Sequence, residues 1–125
     1  MNRSGATPRG RAAALGRDGE RWAADLLRRH GYRVVGAGFR TRGGEIDLVC
    51  RRGDRLLLVE VKTRGSDRWG RPEAAVGAVK QARLRRAAAD YRRLNAWRGE
   101  IAYAIVAITL DGSGEPRLEL LEDAF

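Results

Sequence analysis

The stretch Glu45-Ile46-Asp47-Leu48-Val49-Cys50-Arg51-Arg52, then Gly53-Asp54, then Arg55-Leu56-Leu57-Leu58-Val59-Glu60-Val61-Lys62-Thr63, decides the fold. Two apolar, β-branched runs, 45–51 and 55–63, flank a Gly-Asp turn, which predicts a β-hairpin. Side chains alternate along a strand, so Glu45, Asp47 and Val49 share one face, and Leu56, Leu58, Glu60 and Lys62 share another. A two-residue loop pairs Arg52 with Arg55, and that register sets Asp47 opposite Glu60 and Glu45 opposite Lys62. Cβ atoms of directly opposed residues lie about 4.5 to 5.5 Å apart, and two carboxylates so placed repel unless something cationic stands between them. A Mg²⁺ or Mn²⁺ ion resolves the repulsion, because a hard cation accepts one or two carboxylates and completes its shell with water and phosphate oxygens. Lys62 would then orient an attacking water or face the charge that builds on a phosphate. An ordinary strand ion pair between Glu60 and Lys62, with Asp47 satisfied by a turn, fits the same residues, and a register slip by one residue turns Asp47 away.

Outward from the hairpin, residues 15–30 carry Trp22, Ala23, Leu26 and Leu27 at helical spacing, with Gly31 as a stop signal. Residues 32–39 read as a strand weakened by Gly36 and Gly38. Residues 64–72 are polar and Gly-rich, a loop beside the end of the third strand. A long helix is expected over 73–97, with Val76, Val79, Leu84, Ala87, Tyr91 and Leu94 on its buried stripe. Residues 101–109 are almost wholly apolar, the pattern of a strand covered on both faces, and 116–121 form a short last strand. Residues 1–14 hold no acid and read as a disordered basic arm before a single domain over 15–125. The order α-β-β-β-α-β-β predicts an α/β protein with a mixed sheet flanked by helices.

The chain has 25 Lys and Arg against 16 Asp and Glu in 125 residues, a net charge of +9. That excess favours a polyanionic partner, with nucleic acid as the default. It is uneven: Asp111, Glu115, Glu119, Glu122 and Asp123 crowd the C-terminal segment, so the basic footprint lies elsewhere. No apolar run is long enough for a membrane helix and residues 1–14 lack a signal-peptide core, so the expectation is a cytoplasmic protein without membrane contact. One cysteine, Cys50, and one histidine, His30, exclude a disulfide within the chain and a structural zinc set. Ser4, Ser66 and Ser113 have no nearby histidine, and no phosphate-binding Gly-Lys-Ser/Thr loop exists, which leaves serine-nucleophile and nucleotide-hydrolysing chemistry without support.

Only two of the basic residues are lysines, Lys62 and Lys80. In a chain so biased toward arginine, a retained lysine suggests a need for a compact, titratable ammonium. Lys80 lies at the edge of the expected helix stripe, from which it either points toward the sheet or stays at the surface. Glu20 lies on the inward side of the first helix, where it either joins a metal site or complements the helix dipole.

Gly16-Arg17-Asp18-Gly19-Glu20, Gly44-Glu45-Ile46-Asp47-Leu48, Val59-Glu60-Val61-Lys62-Thr63-Arg64, Gly70-Arg71-Pro72 with Ala75-Val76, Lys80, and Asp123-Ala124-Phe125 together resemble the YraN family of small bacterial proteins. The resemblance spans 15–125. It implies a restriction-endonuclease-like fold, similar to that of Holliday-junction resolvases, with an Asp and a following Glu-x-Lys element at a metal site. Asp47, Glu60 and Lys62 take those roles, with Glu20 and Lys80 beside them and the Val61 carbonyl as a further metal ligand. Two departures stand out: the Arg-Phe-Asp common in the family's fourth strand is Ala102-Tyr103-Ala104 here, and an Asn common before the second strand is Gly38. The expected function is a Mg²⁺- or Mn²⁺-dependent endonuclease on DNA rather than RNA, acting on branched or recombination intermediates. Arg64, Arg68, Arg71, Arg83 and Arg86 would contact phosphates, and Trp69 would stack on a base. A homodimer is expected by analogy with enzymes that cut two symmetric strands. The alternatives are a nuclease-like module that binds nucleic acid without cutting it and a small RNA-associated accessory protein.

Overall fold

A computed structural model describes the backbone of residues 8–65, 76–110, 112 and 114–125, and the side chains of these from Asp18 onward. The elements are α1 (Pro8–Arg29), β1 (Arg33–Thr41), β2 (Gly44–Arg52), β3 (Arg55–Arg64), α2 (Ala78–Asn95), β4 (Glu100–Thr109) and β5 (Arg117–Glu122). The five strands form one sheet in the order β1-β2-β3-β4-β5. All neighbours are antiparallel except β3 and β4, which are parallel and joined through α2. This is the α/β architecture expected, with the element order and mixed sheet of the restriction-endonuclease-like class.

α1 begins earlier than residue 15 and takes in Pro8 and the Ala12-Ala13-Ala14 run. Proline suits a first helical turn and alanine has the strongest helix propensity, so these residues extend the helix at little cost. Its end is a Schellman closure: Tyr32 N–H donates to the Leu27 carbonyl and Gly31 N–H to that of Arg28, with Gly31 at φ +85. Ala23, Ala24 and Leu27 pack with Leu48, Cys50, Leu57, Val59, Ala102, Ala104, Val106 and Ile108 on one face of the sheet. Cys50 is fully buried and its thiol is pushed up to about 12 by that burial, so it packs as a small apolar side chain.

The other face carries Val49, Leu56, Leu58 and Ile105 under Leu84, Ala87 and Ala88 of α2. The expected helix over 73–97 is corrected at its start. Gly77 caps α2 in an extended conformation, so buried Val76 precedes the helix instead of belonging to its stripe. Val79 and Leu94, expected in the stripe, are 69% and 60% exposed. The buried side of α2 is only Leu84, Ala87 and Ala88, and the helix docks tightly against the β1–β2 turn beside the two alanines. A Cβ on Gly43 would stand 2.8 Å from the Arg86 Cβ and 3.2 Å from the Ala87 nitrogen, so only glycine permits this approach. Among the described residues no helix is long and apolar enough to cross a membrane.

Candidate functional site

The β2–β3 hairpin has the register read from its turn, running from Arg52↔Arg55 to Leu48↔Val59. There the ladder stops, one pair before Asp47 and Glu60. β2 continues along β1, pairing Ile46 with Phe39 and Glu45 with Arg40. Side-chain alternation breaks at the same point: Leu48 packs under α1, whereas Ile46 packs with Val49 under α2. Opposite the break lies Gly38, at φ +63, a conformation that glycine adopts without strain. Asp47 thus leaves the simple facial position that alternation assigns it. Its Oδ2 accepts a 2.8 Å hydrogen bond from the Val61 N–H and takes the place of a β2 backbone partner.

This parting of the strands exposes a second group. The N–H and C=O of one strand residue point to the same side, so the Val61 carbonyl is directed toward the Asp47 side of β3. No β2 residue is paired opposite Val61. An aspartate and a backbone carbonyl therefore border the gap, and Glu60 is the next residue along β3.

Glu60 is buried, at 5% exposure, on the α2 face. Lys62 Nζ lies 3.4 Å from its Oε2, and Lys80 Nζ, reaching down from the first turn of α2, lies 3.0 Å from the same oxygen. The two lysines of the chain thus meet at one buried carboxylate, which settles the choice between a sheet-facing and a surface Lys80. Asp47 is pushed up to about 6, first by burial and then by the charges of Glu60 and Glu20; the Val61 hydrogen bond and Lys80 pull the other way. Glu20 follows Gly19, whose Cα lies close enough to β3 and β4 that an added Cβ would be 3.1 Å from Thr63 Oγ1. The helix-one acid is therefore held near the site and acts on Asp47 through its field.

The donor set fits a hard, hydrated divalent cation and no softer metal. Among the described residues no group of three or more His, Cys, Asp or Glu side chains is placed to hold a metal. Two carboxylates and a carbonyl are nevertheless a sufficient protein contribution for Mg²⁺, which keeps most of its water. An aspartate raised by burial, and further by two neighbouring acids, is also a position that a cation would relieve.

The structure brings together Asp47, Glu60, Val61, Lys62 and Lys80, with Glu20 within electrostatic reach. Arg83 and Arg86 are exposed on α2 beside the β1–β2 turn, farther along the helix than Lys80. Arg64 ends β3, partly buried and already engaged with neighbours. Arg68, Trp69 and Arg71 lie outside the described residues. Ala102 and Ala104 are buried in the α1 cluster, on the sheet face opposite Glu60. The two positions at which this chain departs from the expected pattern therefore lie in the packing under α1, away from Glu60. The sequence reading missed the Val61 N–H as the partner of Asp47, for which the sequence holds no signal: the bond exists only because two strands separate.

Fold and site together define a small α/β protein with an Asp in the first half of β2 and a Glu-x-Lys element toward the carboxyl end of the neighbouring β3. Residues 19–109 match the model of the uncharacterised protein family UPF0102. A UPF0102 protein of Anaeromyxobacter dehalogenans is 44% identical over 113 residues, covering 90% of this chain and 84% of that one. One from Syntrophus aciditrophicus is 41% identical over 113 residues, covering 88% and 87%. A third, from an Arthrobacter species, is 44% identical over 108 residues, covering 86% and 92%. The chain belongs to the UPF0102 family, the YraN family of the sequence reading.

Proposed function

We propose that this protein is a Mg²⁺- or Mn²⁺-dependent endonuclease acting on DNA, with branched or recombination intermediates as the expected substrates. The observation that carries the reading is Asp47, held by the Val61 N–H where β2 and β3 part, beside the buried Glu60 and the two ammonium groups that meet on it. Asp47, Glu60 and the Val61 carbonyl would hold the cation, which when bound polarises a phosphoryl oxygen and acidifies water. Lys62, about one-third exposed, lies between buried Glu60 and solvent, where its ammonium orients the attacking water and faces the charge that develops on the phosphate. Lys80 fixes the Glu60 carboxylate from the helix side and acts as a positioning residue. The net charge of +9 supplies the long-range attraction for DNA.

The test is cleavage of junction, flap and single-stranded DNA with Mg²⁺ or Mn²⁺ by wild type, Asp47→Asn and Lys62→Ala. Loss of at least about a hundredfold in rate is expected for either variant. Equal rates in variant and wild-type preparations would sink the proposal, since a contaminant would then account for the cutting. One observation favours a second reading, a module that binds nucleic acid without cutting it: two lysines sit on the Glu60 carboxylate and offset its charge. That reading predicts salt-dependent binding, no response to divalent cations, and little effect of Asp47→Asn.

A further inference from the structure

The β1–β2 turn lies against the middle of α2. Thr41 pairs with Gly44, which leaves Arg42 and Gly43 as a two-residue loop, and Thr41 Oγ1 accepts a 3.0 Å hydrogen bond from the Gly43 N–H. An added Cβ on Gly43 would be 2.8 Å from the Arg86 Cβ, and one on Gly44 3.3 Å from the Arg83 Cβ. Ordinary bond lengths then place the Arg42 Cα within about 8 Å of the Arg86 Cβ, inside the combined reach of two arginine side chains. Arg42, Arg83 and Arg86 are all exposed. Among the described residues none of these three guanidiniums has an acid or a hydrogen-bond partner, whereas Arg21, Arg28, Arg40 and Arg93 each face a carboxylate. The acids that flank them in sequence, Glu45 and Asp90, are engaged by Arg40 at 3.5 Å and by Arg93 at 3.4 Å.

Like charges three or four apart on a helix repel, and a third guanidinium on the docked turn adds to that field, so the arrangement costs the folded protein unless an anion lies over it. We infer that Arg42, Arg83 and Arg86 form a phosphate clamp for the backbone of a nucleic-acid duplex, on the flank of the site at Glu60 and Lys62. The inference rests on the reading of nucleic acid as the partner. Lys80 stands in the same i, i+3 row as Arg83 and Arg86, so the cations run from the Glu60 carboxylate along the helix for about 9 Å, at about 1.5 Å per residue. One strand of a duplex carries a phosphate about every 3.4 Å of axis, so the row matches roughly two to three successive phosphates. α2 starts with no acid in its first turn and no side-chain cap, and its positive end adds to the potential where that row begins. The clamp offers charge and no platform for a base: Phe39 of β1 and Tyr91 of α2 are partly buried and packed edge to face on each other at 5.1 Å. Single strands are held by stacking on exposed rings, so contact through phosphates alone selects a duplex, whose bases are already stacked.

Anisotropy of a labelled duplex oligonucleotide, and of one of its strands alone, measured in chelator across a salt series, tests the clamp apart from cleavage. Arg42→Ala, Arg83→Ala and Arg86→Ala should each weaken duplex binding about fivefold, alike for unrelated sequences, and lower the slope of log affinity against log salt by about 1. Arg29→Ala removes the same charge from the exposed end of α1, on the opposite face of the sheet, and should leave both near wild type. Wild type should prefer the duplex to the single strand, and the triple alanine variant should lose that preference. Three single variants indistinguishable from Arg29→Ala, each with the wild-type melting midpoint, would overturn the clamp, as would a wild type that binds the single strand as tightly as the duplex. Duplex binding that depends on the three arginines, in a protein that cuts no DNA with Mg²⁺ or Mn²⁺, would sink the endonuclease and leave the clamp standing.

Discussion

At the scale of single residues, Asp47 concentrates the tension of the site. Its carboxyl is raised from 3.8 to about 6 by burial, reinforced by Glu60 and Glu20. A folded-state value above the unfolded one means that ionisation costs the folded state. The favourable contribution is therefore complete below pH 3.8 and is lost as the pH rises through about 6. Asp47→Asn keeps an acceptor for the Val61 N–H and removes the charge, so its stability should gain on wild type across that window in metal-free buffer. The gain is expected to be on the order of 1–2 kcal/mol after allowance for solvent screening. Urea midpoints of the two proteins at several pH values check it; a constant difference would show that Asp47 is compensated by other means. A cation that prefers the ionised form should stabilise wild type and not the variant.

At the scale of elements, the hairpin register was legible because a two-residue Gly53-Asp54 turn leaves no freedom, and Arg52↔Arg55 fixes every pair up to Leu48↔Val59. Alternation failed one step later, at Asp47, since β2 parts from β3 there while staying paired with β1 around Gly38, a three-dimensional event that a period-two pattern does not encode. Periodicity likewise overextended the buried stripe of α2. Val79 and Leu94 have the spacing of core residues, yet the helix is too closely docked at its middle to cover them. That docking yields a prediction. Gly43→Ala places a Cβ 2.8 Å from the Arg86 Cβ and 3.2 Å from backbone, so the turn or the helix must shift. The cost should be about 1–3 kcal/mol, read as a lower melting midpoint. Gly77→Ser is the contrast: nothing lies within 4 Å of its added Cβ, and serine supplies the side-chain cap that α2 lacks, for a gain of a few tenths of a kcal/mol.

At the scale of the whole molecule, stability and candidate chemistry occupy opposite ends of β3. Arg55, at its start, donates to Tyr32 Oη and Glu100 and, through one nitrogen, to Glu122 and Asp123, while Tyr32 donates a 2.6 Å bond to Glu122. One guanidinium thus ties the segment after α1, the start of β4 and the end of β5 together, from residues with no common sequence pattern. Along the strand Arg55 is about 23 Å from Lys62, a separation at which substitutions act independently. Arg55→Met leaves partly buried Glu122 without its cation and should cost about 1–3 kcal/mol near neutral pH. Glu122 is held below the usual carboxylate range, first by Tyr32 and then by Arg55, so its contribution is present above its unfolded value of 4.5 and lost as the pH falls through the lower folded value. The destabilisation by Arg55→Met should therefore shrink on acidification, opposite in sign to the Asp47 effect. Denaturation of Arg55→Met, Asp47→Asn and the double variant at two pH values decides the matter. Additive effects, a cost for Arg55→Met and a gain for Asp47→Asn, with opposite pH slopes are expected, and strong coupling between the two would mean that the network at the start of β3 helps to set the geometry where β2 and β3 part.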